Sequence, residues 1–149
     1  MRRFLLPIIL IILTFKAIAQ PLPKNSNEVK QLIAMGYEIE PPSKGDEYTI
    51  ASNGEDKITV TRSKSRLVIA RYYTRKNLNE SDEVELLKIV NEINKAFYYQ
   101  VSVLDAELLV ALYDYGDYNS KTFLKMVRDI EKSDTIFEYK PKLLELLIE

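Results

Sequence analysis

Between Glu80 and Tyr113 the chain changes period, and that change limits the fold more than any other feature of the sequence. Leu86, Leu87, Ile89, Val90, Ile93, Ala96 and Phe97 fall on one half of a helical wheel, and Glu85, Lys88, Asn91, Glu92 and Lys95 on the other. This is an amphipathic helix, and its apolar face needs a surface to lie on. Two short apolar runs follow at once, Tyr98 to Leu104 and Leu108 to Tyr113, joined at Asp105-Ala106, and they read as a β-hairpin.

Upstream the pattern is strand-like. Tyr37-Glu38-Ile39-Glu40 alternates as a short edge strand, and Pro41-Pro42 ends it. Tyr48 and Ile50 share a face of the next strand, and Asn53-Gly54 signals a tight turn. Ile58 and Val60 alternate with Thr59 and Thr61, which predicts one buried and one wet face. Leu67 to Tyr73 is apolar on both sides, with Leu67 and Ile69 on one and Val68, Ala70 and Tyr72 on the other, so it belongs near the middle of a sheet. A helix precedes these strands: Asn25 or Ser26 caps it, Glu28 completes a capping box with Asn25, Val29, Leu32 and Ile33 form its apolar face, and Gly36 ends it. The central helix starts at Asn79 or Ser81.

After the hairpin, Phe123, Met126, Val127 and Ile130 mark a helix from about Ser120 to Asp134. The order is α-β-β-β(-β)-α-β-β-α. It predicts an α+β fold: a twisted, mainly antiparallel sheet of about five to six strands with helices packed on one face. Residues 26–137 form this domain. Residues 138–149 form a leucine-rich tail in which Pro141 opens a short helix and Leu143, Leu144, Leu146, Leu147 and Ile148 must be buried somewhere.

The first 19 residues have another purpose. Arg2-Arg3, an apolar core from Phe4 to Phe15 and Ala17-Ile18-Ala19 make a secretory signal peptide cut after Ala19. The apolar core is shorter than the roughly 20 residues that cross a bilayer. The mature protein is therefore expected to be periplasmic or secreted, with no membrane attachment, and residues 20–25, with Pro21 and Pro23, to be an extended leader. Loss of Arg2, Arg3 and Lys16 takes 21 basic residues to 18 against 22 acidic ones, a formal charge of −4. That balance carries no footprint for nucleic acid. The basic clusters Arg62 to Arg66 and Arg71 to Lys76 read as solvated turns and strand ends.

Chemistry is scarce. The chain has no Cys and no His, so it lacks thiolate chemistry, a lipoprotein anchor cysteine and the commonest general base and metal ligand. No phosphate loop, dinucleotide fingerprint or nucleophile elbow occurs. No cofactor and no metal are expected. Ser63-Lys64-Ser65 reads as a turn, not as a serine–lysine pair. Asp114 and Asp117 are the best carboxylates for a hydrolase, but a turn in which they cap backbone amides around Gly116 suits them better. Asn94, beside Val90 and Phe97, is read as bonding backbone where the helix meets the sheet.

Leu32-Ile33-Ala34-Met35-Gly36-Tyr37, the strands after it, Ile89-Val90-Asn91-Glu92-Ile93-Asn94, the hairpin and the closing helix together resemble the YbjN family, from about Val29 to Phe137. That family is similar in fold to type III secretion chaperones. The resemblance implies a non-enzymatic, often dimeric domain that binds proteins or acts in regulation, and it carries over no catalytic residue. The export signal is a departure, since those proteins are typically intracellular.

Protein binding is thus the expected function, chaperone-like or regulatory, through a semi-polar sheet face: Tyr98, Gln100, Ser102 and Leu104, placed on one strand face, with Tyr115 and Tyr118 nearby. The alternatives are a small-molecule or cell-wall binding module using the tyrosines and a hydrolase using Asp114 and Asp117. A homodimer is expected through the leucine-rich tail, laid on that face or on a second copy.

Overall fold

The computed structural model describes residues 20–54, 56–63 and 66–147. The expected signal peptide, Lys64-Ser65 and Ile148 lie outside the described residues. Within them the chain runs β1 (Gln20–Pro21), α1 (Asn27–Ala34), β2 (Glu38–Ile39), β3 (Thr49–Asn53), β4 (Asp56–Arg62), β5 (Arg66–Thr74), α2 (Glu80–Ala96), β6 (Gln100–Val103), β7 (Glu107–Tyr115), α3 (Ser120–Glu131), α4 (Thr135–Tyr139) and α5 (Lys142–Glu145). Among the described residues the strands form one seven-stranded sheet in the order β2-β3-β4-β5-β7-β6, with β1 beside β4, and every pairing is antiparallel. None of the described helices is long and apolar enough to cross a membrane.

Both periodicities of the central stretch are realised. Asn79 caps α2, its side chain accepting from the Asp82 amide, and Glu80, Asp82 and Glu83 sit at the positive end of the helix dipole. Leu86, Ile89, Val90 and Ile93 are buried, while Leu87 is half exposed and Phe97 ends the helix between the rings of Tyr99 and Tyr139. β5 lies inside the sheet as its two apolar faces require, and pairs with β7 over nine residues, Arg66↔Tyr115 to Thr74↔Glu107.

One main core holds the fold. It joins Ile58 and Val60 of β4, Leu67 and Ile69 of β5 and Leu108, Val110 and Leu112 of β7 to the buried stripes of α1, α2 and α3. Phe123, Met126, Val127 and Ile130 supply the stripe of α3. A separate small cluster of Val68, Ala70 and Ala111, with Leu109 and Tyr113 against it, lies on the other side of the sheet and contains no helix residue. The helices therefore cover one face.

Several local expectations are corrected. Residues 20–25 are not a free leader: Gln20 and Pro21 pair with Arg62 and Thr61, and buried Leu22 donates its amide to Thr49 Oγ1 at 2.7 Å. Pro21 fits there because it sits in an edge strand. Ser26 caps α1, and Glu28 turns from the capping box to an ion pair with Arg62, Nε to Oε1 2.6 Å, without hydrogen-bond alignment. Burial of Glu28 makes that charge partner necessary. Ile33 is exposed, because α1 presents only Val29 and Leu32 to the core. Helix α3 stops at Glu131, and the chain turns through buried Ser133 before α4. The tail does not lie on the open face of the sheet. Leu143, Leu146 and Leu147 belong to the main core, Leu147 bridges Arg75, and Leu144 alone of the four described tail leucines is exposed.

Candidate binding surface

The register builds the open face row by row. Ile50, Thr59, Ala70, Ala111 and Gln100 stand side by side across β3, β4, β5, β7 and β6. One step along are Thr61, Val68 and Tyr113; one step the other way, Tyr72, Leu109 and Ser102. Ala70 and Ala111 lie opposite each other in the middle, so the centre is low, and Leu109 and Tyr113 lean over it. Their overlay buries Val68, Ala70 and Ala111 without a helix. The Arg66 guanidinium stands 5.8 Å from the Tyr113 ring centre. Burial raises the phenol pKa of both Tyr72 and Tyr113, so both remain neutral hydrogen-bonding groups at ordinary pH.

The face is interrupted at one place. The β4–β5 ladder runs from Arg62↔Leu67 only to Thr59↔Ala70, although β4 begins at Asp56 and β5 continues to Thr74. Where the two strands part, a concavity of about 540 Å³ opens, lined by Tyr48, Ile50, Lys57, Thr59, Tyr72 and Glu107. Lys57 Nζ is held by Glu40 Oε1 at 2.8 Å. A smaller, mainly apolar concavity of about 240 Å³ lies where Leu22, Ile33, Ile39, Pro41 and Pro42 meet Thr49 of β3.

Beneath the parting strands, on the helix side, Arg71 reaches Asp56 Oδ1 and Asp134 Oδ2, both at 3.2 Å, and donates to the Glu131 carbonyl. Tyr73 donates to Asp134 Oδ1 at 2.7 Å, and Tyr37 to Glu131 Oε1 at 2.7 Å. Burial raises the pKa of both phenols, with the accepting carboxylates adding to it. The cluster ties the end of α3 to the sheet. Arg71 and Arg75 are thus not solvated strand ends, because each is needed to balance carboxylates that packing places beside it: Asp56 and Asp134 for one, Glu83 for the other.

Asn94 acts at the sheet's edge. Its Nδ2 donates to the Val101 carbonyl at 2.9 Å and its Oδ1 accepts from the Val101 amide at 2.7 Å. The carboxamide thereby occupies the outward backbone groups of edge strand β6, as a neighbouring strand would.

The six residues expected to form the binding surface do not gather in one place. Gln100 and Ser102 are on the open face. Tyr98 is not, because the chain bends over residues 97–99 before β6 begins and the alternation does not reach it. Its ring stacks on Tyr99 at 4.7 Å and lies under Lys125 of α3. Leu104 sits at the hairpin turn, its amide donating to the Glu107 carbonyl. Tyr115 ends β7 with 71% of its surface exposed. Tyr118 turns inward against Phe123, with the Arg62 guanidinium 5.8 Å from its ring centre. Asp114 pairs across the sheet with Leu67, while Asp117 follows Gly116, whose φ of 133° only glycine adopts readily, and is exposed. Neither concavity is lined by Asp114, Tyr115, Asp117 or Tyr118. Among the described residues no cluster of three or more acidic groups suits a metal ion. Alternation placed Tyr72 on one face with Val68 and Ala70, and Ile50 on one face with Tyr48, but the parting of β4 from β5, which brings Lys57 and Glu107 to one concavity, has no local sequence signal.

The architecture has a solved counterpart. The crystal structure of YbjN from E. coli superposes with a TM-score of 0.60 over 81% of this chain and 93% of that one, at 12% sequence identity. The fold is YbjN-like. That protein is described as a candidate transcription regulator. No protein-family model and no curated protein matches the sequence.

Proposed function

We propose that this chain is an exported, non-enzymatic binding domain, chaperone-like or regulatory, whose open sheet face recognises a protein partner. The observation that carries the reading is a sheet covered by helices on one side only, with a recessed apolar centre rimmed by Tyr72, Tyr113, Thr59 and Gln100 on the other. Tyrosine on such a rim contributes contact area and a hydrogen bond at low entropy cost. The YbjN-like fold is consistent with a regulatory binding role, since the YbjN structure is described as a candidate regulator. A small-molecule ligand is the second reading, favoured by the 540 Å³ concavity, which is of ligand-pocket size. A carboxylate-dependent hydrolase has less support, because neither Asp114 nor Asp117 lines either of the concavities described above. Self-association would use the open face, since the described tail leucines other than Leu144 are already buried.

The test is differential capture from an envelope extract with residues 20–149 as bait. Tyr72→Ala and Gln100→Lys on the open face should lose a partner that Leu87→Ala on α2 retains. Equal retention by all three would sink the proposed surface. Light scattering on the same proteins reads self-association. Export itself is read by N-terminal sequencing, which should find Gln20 first; an intact Met1 in the membrane fraction would refute it.

A further inference from the structure

We propose that the concavity between the parting ends of β4 and β5 is a subsite for a cationic side chain, arginine or lysine, of the partner. The inference rests on the open face being the recognition surface and names the chemistry that face selects. Among the described residues that line the concavity two are charged, Lys57 and Glu107. Lys57 is neutralised by Glu40 at 2.8 Å. Glu107 is half-buried on the same face, and among the described residues its carboxylate has no hydrogen bond or ion pair. The basic residues nearest along the chain are engaged elsewhere. Arg75 donates to the Leu104 and Asp105 carbonyls and to Glu83, and Lys76 donates to the Glu145 carbonyl. The concavity therefore carries one uncompensated negative charge.

Its walls suit the same ligand. Tyr48 and Tyr72 both line the concavity, each about two-fifths exposed, so ring surface is open to it. A cation that enters beside Tyr72 meets an aromatic ring on one side and the Glu107 carboxylate on the other, two attractions that reinforce each other when water is partly excluded. Glu107 contributes to the raised pKa of the Tyr72 phenol, which puts the carboxylate within electrostatic reach of that ring. Among the described residues Tyr72 and Thr74 of β5 have no ladder partner on the β4 side, so the backbone there can accept from a guanidinium.

The experiment is an NMR titration of residues 20–149 with Nα-acetyl-arginine amide and, separately, with Nα-acetyl-citrulline amide, which has the same shape without the charge. Saturable shifts at Tyr48, Thr59, Tyr72 and Glu107 are expected with arginine, and binding about tenfold weaker with citrulline. Glu107→Gln should bring arginine down to the citrulline level, whereas Lys57→Gln should strengthen it by freeing Glu40 at the rim. Equal binding of the two ligands, no shifts at these four residues, or an unchanged affinity in Glu107→Gln would overturn the subsite. If the captured partner is lost in Tyr72→Ala while arginine fails to bind, the binding face stands and the subsite falls. If arginine binds as expected while every open-face variant still captures the partner, the subsite stands and the docking reading falls.

Discussion

β5 contributes to both faces of the sheet, and the two faces are built differently. On the covered side it presents Leu67 and Ile69, which meet Val60, Leu112 and the helix stripes. On the open side it presents Val68, Ala70 and Tyr72, and among the described residues no helix joins the cluster that Val68 and Ala70 form there. The covered face buries large aliphatic groups by packing two layers together. The open face buries small ones by folding Leu109 and Tyr113 of the neighbouring strand over Ala70 and Ala111. Burial on this sheet therefore does not mark which face carries stability. The number of layers that meet at a residue does.

Loss of the tail should have the largest effect. Residues 141–147 put Leu143, Leu146 and Leu147 into the covered core, and a buried leucine is worth about 2–5 kcal/mol on truncation. Deleting residues 141–149 removes three of them and should cost more than about 5 kcal/mol, enough to unfold a domain of ordinary stability. Circular dichroism on the truncated protein checks this, and a folded truncation with an unchanged denaturation midpoint would mean the tail is not part of the core. Phe123→Ala comes next, at about 3–5 kcal/mol in chemical denaturation, because the ring is fully buried between α3 and the sheet.

A smaller effect is expected at the sheet's edge. Asn94→Ala leaves the amide and carbonyl of Val101 without their partners, and should cost about 1–3 kcal/mol. It also uncovers a strand edge, so light scattering should detect association that rises with protein concentration. A variant that stays monomeric and as stable as the parent would show that water replaces the carboxamide without loss.

What the sequence made legible follows from range. Caps and period depend on residues a few positions apart, and Asn79, Gly36, the two-sided β5 and the centre of the α2 stripe, Leu86, Ile89, Val90 and Ile93, were read correctly from that, while Leu87 and Ala96 at its margins are exposed. Asn94 was legible for the same reason, since its backbone partner Val101 is seven residues away. Glu28 was misread because the residue that matters to it, Arg62, is distant in sequence and close in space. Tyr98 was misread because a bend, not a strand, precedes Gln100. The tail leucines required burial, but where they go is decided by docking of the chain's end beside Arg75. The candidate surface divides along the same line. Alternation marks its rows, while the parting of β4 and β5 depends on three strands at once.

The smallest expected change in stability is at Tyr72, and it gives the comparison its sharpest test. Tyr72 and Tyr73 are consecutive in β5 and point to opposite faces. Tyr73 packs edge-on against Phe137 at 5.0 Å and bonds Asp134, so truncation to Ala removes a ring and a hydrogen bond from between two layers and should cost about 3–5 kcal/mol. Tyr72 has the same chemistry, but its ring borders the open concavity, so its loss should cost below about 1 kcal/mol. Adjacent positions with the same side chain remove composition and propensity as explanations for a difference. Denaturation of Tyr72→Ala and Tyr73→Ala under one set of conditions isolates the effect of the second layer. Equal losses would mean that the open face stabilises the fold as the covered face does, and a face required for stability is less free to serve recognition. A large loss at Tyr73 with nearly none at Tyr72, together with loss of the captured partner only in the folded Tyr72→Ala protein, is the outcome expected if the two faces divide the work.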